Sequence, residues 1–100
     1  SKFLSDHVGA NVPLPTFRLG DPKLQDQVSV PIDAVNVATC TSLVVIQDVA
    51  RVKRLAEKRN LTILYVCPKG TKTMDLCIIL SKTGVIPIQV SLSLLTVHDK

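Results

Sequence analysis

The alternation of apolar and polar residues predicts one helix most clearly, over residues 48–60 (DVARVKRLAEKRN). At about 100° per residue, Val49, Val52, Leu55 and Ala56 fall on one arc, and the charged side chains lie around the opposite side. Asp48 is predicted to cap the amino end, and Asn60 to take the left-handed conformation that ends the helix. Lys58 and Arg59 suit the negative end of the helix dipole. The pattern therefore predicts an amphipathic helix that covers a core with its apolar side.

Two short apolar runs flank this helix, SLVVIQ at 42–47 and LTILYVC at 61–67. Continuous apolar runs of this length are typical of strands that are covered on both faces. A strand, a helix and a second strand predict a crossover between two parallel strands, which winds right-handed in nearly all proteins. The crossover at 42–67 is therefore the expected centre of the fold.

The run MDLCIILSK at 74–82 allows two interpretations. A strand followed by a turn at 81–84 gives an α+β fold with a mixed sheet around the crossover. A second helix, capped by Thr73 and ended by Gly84, gives a repeating α/β fold instead. We favour the strand because Ile78 and Ile79 are β-branched and Ser-Lys-Thr-Gly is typical of a turn.

The two ends of the chain differ in their patterns. Residues 1–27 contain several glycines and prolines, which predict an irregular arm with at most a short strand near 16–19. The segments 28–33 and 85–97 alternate as half-buried strands, and their prolines predict an edge or a bulge. No internal repeat is apparent. We therefore expect one domain over 1–100, with a compact core over 28–100.

The composition narrows the class of protein. The chain has 100 residues, of which 46% are hydrophobic and 3% aromatic. No apolar run approaches the roughly 20 residues that span a bilayer, and residues 1–15 do not resemble a signal peptide. Cys40, Cys67 and Cys77 match no zinc or redox spacing, so they are expected to be reduced, mostly buried thiols. These features predict an intracellular, cytoplasmic protein with no cofactor and no metal.

Positive charge is concentrated in the second half of the chain. The net charge is +4, yet residues 51–72 contain seven Lys or Arg and the single acid Glu57. Part of this charge lies in the loop Pro68–Thr73, beyond the carboxyl end of the strand at 61–67, where crossover folds bind ligands. Backbone N–H groups, a glycine, hydroxyls and ammonium groups suit an anion. A solvated turn is the alternative, because the loop lacks the P-loop spacing.

The basic face of the helix supplies the rest of the charge. Arg51 and Arg54 are expected near the helix start, on the same edge of the sheet as the loop, with Lys58 roughly 10–15 Å farther along. A single small pocket cannot use all of them, whereas a nucleic-acid backbone can. The alternative is a solvated helix face. Because aromatic residues are scarce, contacts to phosphates are expected rather than a row of stacked bases.

The sequence is therefore interpreted as a non-enzymatic binding module for an anionic partner, most plausibly RNA or DNA. The predicted contacts are Arg51, Arg54, Lys58, Lys69, Gly70, Thr71 and Lys72. A structural subunit that forms a homo-oligomer through sheet edges at 28–33 and 85–97 is the alternative. A small phosphotransfer or nucleotide enzyme using Cys67 is a third hypothesis, for which no activating partner, paired carboxylates or metal-ligand spacing can be named.

The order SLVVIQ, helix, LTILYVCPKG resembles the centre of the ribosomal and kink-turn RNA-binding family, in which a similar "YV" strand leads into a basic loop. The resemblance covers under a third of the chain. Members of that family contact RNA through a helix start that contains glycine and asparagine. No counterpart of that helix start precedes Ser42. No residue role is carried over from it.

Overall fold

The computed structural model describes residues 1–39, 42–67 and 76–98, which form a small domain with one mixed sheet and one long helix. The predicted α+β class is confirmed. The helices are α1 (Lys2–Asp6) and α2 (Leu43–Arg59), and two 3₁₀ turns span Ile32–Ala34 and Leu92–Leu94. The strands are β1 (Asn11–Arg18), β2 (Gln25–Pro31), β3 (Asn36–Val37), β4 (Ile63–Val66), β5 (Leu76–Leu80), β6 (Gly84–Gln89) and β7 (Thr96–Val97).

Strand β4 lies at the centre of the sheet, in the order β3-β6-β5-β4-β1-β2-β7. It pairs in parallel with β1, where Phe17 lies beside Tyr65, and antiparallel with β5. The predicted crossover between strands at 42–47 and 61–67 is wrong, because 43–47 belongs to α2 and the parallel partner of β4 is β1. The connection between β1 and β4 passes through β2, β3 and α2.

Helix α2 begins earlier than predicted, because 42–47 continues the helix and is not a strand. The Ser42 hydroxyl oxygen accepts a hydrogen bond from the Val45 backbone N–H at 3.4 Å, so Ser42 takes the capping position predicted for Asp48. Local β-branched residues favour a strand here, but helical backbone bonds and the burial of Val45 outweigh that preference. The predicted helix end is confirmed, since Asn60 has φ 52° and ψ 52°.

The expected irregular arm is wrong, because residues 11–18 form a strand inside the sheet, between β2 and β4. Pro13 and Pro15 had favoured an irregular segment over a strand. Only Thr16–Arg18 of β1 pairs with β4, so both prolines lie where the strand has a neighbour on one side only. A missing N–H need not remove a ladder hydrogen bond there.

The segment after the loop is a strand, as favoured. β5 forms a hairpin with β6, in which Ile78 lies opposite Ile86, and the helical alternative is wrong for residues 76–80. Residues 74 and 75 lie outside the described part of the chain. Gly84 follows the turn with φ 118°, a backbone conformation that side chains rarely adopt.

The two predicted edge strands end earlier than expected and are not at the edges. The first ends at Pro31 and the second at Gln89, and each is followed by a 3₁₀ turn. That turn breaks the alternation, so Leu92 and Leu94 are 44% and 50% exposed instead of facing the core. Two-residue strands flank both segments and form the edges of the sheet.

Segments 28–37 and 88–97 are related by an internal pseudo-symmetry that the sequence did not reveal. Their 3₁₀ turns begin at Ile32 and Leu92, and their short strands begin at residues 36 and 96, so that both pairs of elements are 60 residues apart. Each short strand pairs with the hairpin of the other half: Val37 lies opposite residue 88, and Val97 opposite residue 28. The two edges of the sheet are therefore formed in the same way, with β4 in the middle of the strand order.

Both faces of the sheet are covered by apolar side chains. One core lies between α2 and the sheet and contains Val52, Ala56, Ile63, Tyr65 and Ile79. The other lies on the opposite face, where residues of α1 and of the segments after the 3₁₀ turns pack against the strands. Helix α2 is therefore fixed along one face of the sheet, with its outer side exposed to solvent.

Candidate nucleic-acid interface at the end of helix α2

Two hydrogen bonds fix which parts of the sheet lie at each end of α2. The Tyr65 hydroxyl donates to Asp48 Oδ2 at 2.8 Å, near the amino end of the helix. The Ser81 hydroxyl donates to Asn60 Oδ1 at 3.2 Å, at its carboxyl end. Asp48 and Asn60 are separated by about 18 Å along the axis at 1.5 Å per residue. The helix therefore carries two distinct polar environments.

The first environment, the Asp48 cluster, consists of Asp48, Arg51, Tyr65 and the backbone of Gly20. The Arg51 guanidinium donates to both carboxylate oxygens, with Nε 2.7 Å from Oδ1 and a terminal nitrogen 3.2 Å from Oδ2. The Gly20 N–H donates to Oδ2 at 3.0 Å. This cluster joins the helix to the carboxyl ends of the two parallel strands, and each polar group in it has a partner.

The contacts within the Asp48 cluster shift the pKa values of Asp48 and Tyr65. Hydrogen bonding by Arg51 is the main cause that lowers the pKa of Asp48 to about 2, against burial, which raises it. Burial, and then the hydrogen bond to Asp48, raises the pKa of Tyr65. Arg51 also lies over the Phe17 ring, 5.9 Å from its centroid. The predicted phosphate contact Arg51 is therefore held in an internal ion pair.

The second environment is a basic strip at the carboxyl end of α2. Its members are exposed cations without an ion pair within the described residues: Arg54, Lys58, Arg59 and Lys82. Arg54 and Lys58 are one helical turn apart and share a side of the helix. Lys82 belongs to the turn between β5 and β6, which the contact between Ser81 and Asn60 brings to the helix end.

The basic strip agrees only in part with the predicted site. Arg54 and Lys58 belong to it, but Arg54 is the twelfth residue of the longer helix and does not lie near its start. Lys69, Gly70, Thr71 and Lys72 lie outside the described residues, as does any contact between them and Arg54. Lys82 was missed. Its position in the predicted turn was a signal, but only the packing of that turn against Asn60 adds it to the strip.

An apolar groove runs between α2 and the strands β5 and β6. It is lined by Ile46, Val49, Ala50, Lys53, Cys77, Val85 and Pro87 and has a volume of about 330 Å³. Lys53, on its rim, forms an ion pair with Glu57. At the helix start, Leu43 and Val44 are 74% and 61% exposed. The uncharged start of α2 thus contrasts with its basic end.

The enzymatic alternative depends on Cys67, which is buried. Cys67 and Cys77 are both 1% exposed, and Cys77 forms part of the floor of the apolar groove. Within residues 1–39, 42–67 and 76–98, no group of three or more His, Cys, Asp or Glu side chains could hold a metal ion. No helix in those ranges is both long and apolar enough to cross a bilayer.

Comparison with known protein families, with curated proteins and with solved structures found no significant match to this chain. The weak resemblance to the kink-turn RNA-binding family also loses its first strand, since 42–47 is helical. The candidate interface therefore depends on the geometry of the chain itself.

Proposed function

We propose that the protein is a non-enzymatic module that binds the phosphate backbone of a nucleic acid through the basic strip. The observation that carries this proposal is the grouping of Arg54, Lys58, Arg59 and Lys82 on one end of the domain, all exposed. In the described residues their only acidic neighbour on the helix, Glu57, is paired with Lys53. The strip therefore presents about four uncompensated positive charges to a partner.

Stabilisation of the helix accounts for only part of this arrangement. Lys58 and Arg59 lie in the last turn, where a cation is worth about 0.3–1 kcal/mol against the helix dipole. Arg54 precedes that turn, and Lys82 is supplied by another element. Since neither of these two residues belongs to the last turn of α2, the strip is larger than helix capping requires.

The other end of α2 is electrically balanced by comparison. Asp48 neutralises Arg51 there, and the nearby turn contains Asp21, Lys23 and Arg18, with Asp21 accepting a hydrogen bond from the Gln25 amide. Opposite charges so close together give little net attraction for an anion. The basic strip is therefore the stronger candidate for phosphate contacts, and Lys69 and Lys72 remain predicted contacts outside the described residues.

The proposal predicts a strong dependence of affinity on salt. Four phosphate contacts give a slope of log K against log salt of about −3.6, so that affinity falls by roughly 150-fold between about 50 and 200 mM salt. Fluorescence anisotropy with labelled oligonucleotides measures this slope. Lys58→Ala should reduce its magnitude by about 0.9, since one counterion-releasing contact is lost.

Lys23→Ala is the matched control, because Lys23 is also exposed and its loss changes the net charge equally. It lies in the turn after β1, at the balanced end of the molecule, and should leave the slope nearly unchanged. Equal losses in Lys58→Ala and Lys23→Ala would show that net charge, not the basic strip, causes binding. Absence of binding at low salt would refute the proposed function.

Self-association is the second candidate, and the exposed apolar start of α2 favours it. Leu43, Val44 and Ile46 are all at least 48% exposed, and the adjacent groove is apolar. The predicted sheet-edge route is less favourable because each edge strand has only two residues. A second copy could meet this uncharged end while the basic strips stay far apart.

Sedimentation equilibrium over a range of concentrations tests this candidate. The wild type should dimerise, and Leu43→Ser combined with Val44→Ser should yield monomers. Leu24→Ser is the control, since Leu24 is an exposed leucine in another part of the molecule. A wild-type monomer at every concentration would contradict self-association and leave the nucleic-acid proposal intact.

A further inference from the structure

We infer that the nucleic acid recognised by the basic strip is double-stranded, an inference that rests on the proposed function. Three properties of the described surface carry it: the position of the aromatic side chains, the outward shape of the strip and the fact that its cations line none of three described cavities. Each distinguishes contact with the outside of a duplex from the enclosure of a single strand. The chemistry concerned is an array of phosphates, shared by DNA and RNA duplexes.

The aromatic side chains are not available for base stacking. The chain has three aromatic residues besides histidine, and Tyr65 and Phe17 are 0% and 1% exposed in the core beneath α2. Phe3 is half-buried on the opposite face and packs beside His7, with ring centroids 4.5 Å apart. Single-strand binding without sequence preference usually depends on exposed aromatic rings on which bases stack. The basic strip can supply only charge.

The strip also has the wrong shape for enclosing a single strand. Its cations project from the outer side of a helix and from a tight hairpin turn, and none of them lines any of three cavities found on the described surface. Proteins that hold single strands combine a basic groove with stacking platforms. An array of cations that projects outward fits a ligand whose phosphates also face outward, as on a duplex.

Charge density then decides the preference. Duplex DNA releases about 0.9 counterions per phosphate neutralised, against about 0.7 for a single strand. For four contacts of otherwise equal strength, the difference of 0.8 in the exponent makes the duplex bind about six-fold more tightly at about 0.1 M salt. Stacking, which would reverse this order, has no exposed ring to support it.

The test compares one strand with its duplexes. A labelled oligonucleotide of about two helical turns is titrated alone, as a DNA duplex and as the matching RNA duplex. The measurement uses the wild type, Arg54→Ala combined with Lys58→Ala, and the Lys23→Ala control. We expect several-fold tighter binding of a duplex, lost in the double variant and kept in the control.

The outcomes separate this inference from the proposed function. Equal or tighter binding of the single strand, with loss in the double variant, would overturn the duplex inference while phosphate binding by the strip stands. Absence of binding to all three probes at low salt would overturn both. A preference for one duplex over the other identifies the DNA or RNA source and supports the inference in either case.

Discussion

Replacing Asp48 by asparagine should remove a pH-dependent part of the stability of this fold. The carboxylate is only 13% exposed and accepts hydrogen bonds from Arg51, Tyr65 and the Gly20 backbone. Asparagine has nearly the same shape but no charge, and its amide nitrogen cannot accept the bonds that the second oxygen accepts. The variant therefore tests the ionic character of the cluster while largely preserving its packing.

The magnitude follows from the pKa. A fall from 3.8 in the unfolded chain to about 2 in the folded protein corresponds to about 2 kcal/mol in the free energy of unfolding. Because the folded-state pKa is depressed, this stabilisation is complete well above pH 4 and is lost as pH falls towards 2. Most of it should disappear between about pH 6 and pH 2.

Urea denaturation followed by circular dichroism measures the difference between the wild type and Asp48→Asn. We expect a gap of about 2 kcal/mol at pH 7 that narrows to a small fraction of that value at pH 2. Asp26→Asn is the control, because the exposed Asp26 side chain has no hydrogen bond or ion pair with the described residues. A gap of the same size at both pH values, or no gap, would refute the electrostatic argument.

Three further predictions concern the ends of α2 and the tyrosine beneath it. Because the pKa of Tyr65 is raised in the folded protein, the tyrosine of the unfolded chain ionises first, and wild-type stability should fall above about pH 10. Tyr65→Phe should be about 1 kcal/mol less stable than the wild type at pH 7, because it loses the hydrogen bond. Urea titrations at several pH values should show no alkaline loss of stability from this residue in the variant. Asn60→Ala should be less stable than Asn60→Gly by about 1 kcal/mol. Both variants lose the hydrogen bond from Ser81, but only alanine is strained at positive φ. Equal midpoints of urea unfolding for the two variants would contradict this. Ser42→Ala should cost about 0.5–1 kcal/mol by the same measurement if Ser42 caps the helix, and an unchanged midpoint would leave the cap without energetic effect.

The candidate site shows which of its residues can be predicted from local patterns in the sequence. The basic face of α2 was visible as a charge pattern, and Arg54 and Lys58 could be selected from it. The ion pair between Asp48 and Arg51 lies within one helical turn, but the other hydrogen bonds to Asp48 come from Gly20 and Tyr65, which are distant in sequence. The addition of Lys82 likewise depends on a hairpin turn docking on Asn60. Such contacts are absent from any local window of residues.

The sequence by itself determined the α+β class, the amphipathic part of α2 with its end at Asn60, and the strands at 63–66 and 76–80. Hydrophobic periodicity and local conformational preference are strong enough for these, since each element satisfies its own pattern. Tertiary structure decided that 42–47 extends the helix, that proline-containing residues 11–18 enter the sheet, and that two short strands exchange between halves. Their local preferences are worth only tenths of a kcal/mol per residue, so burial and strand pairing with distant partners outweigh them.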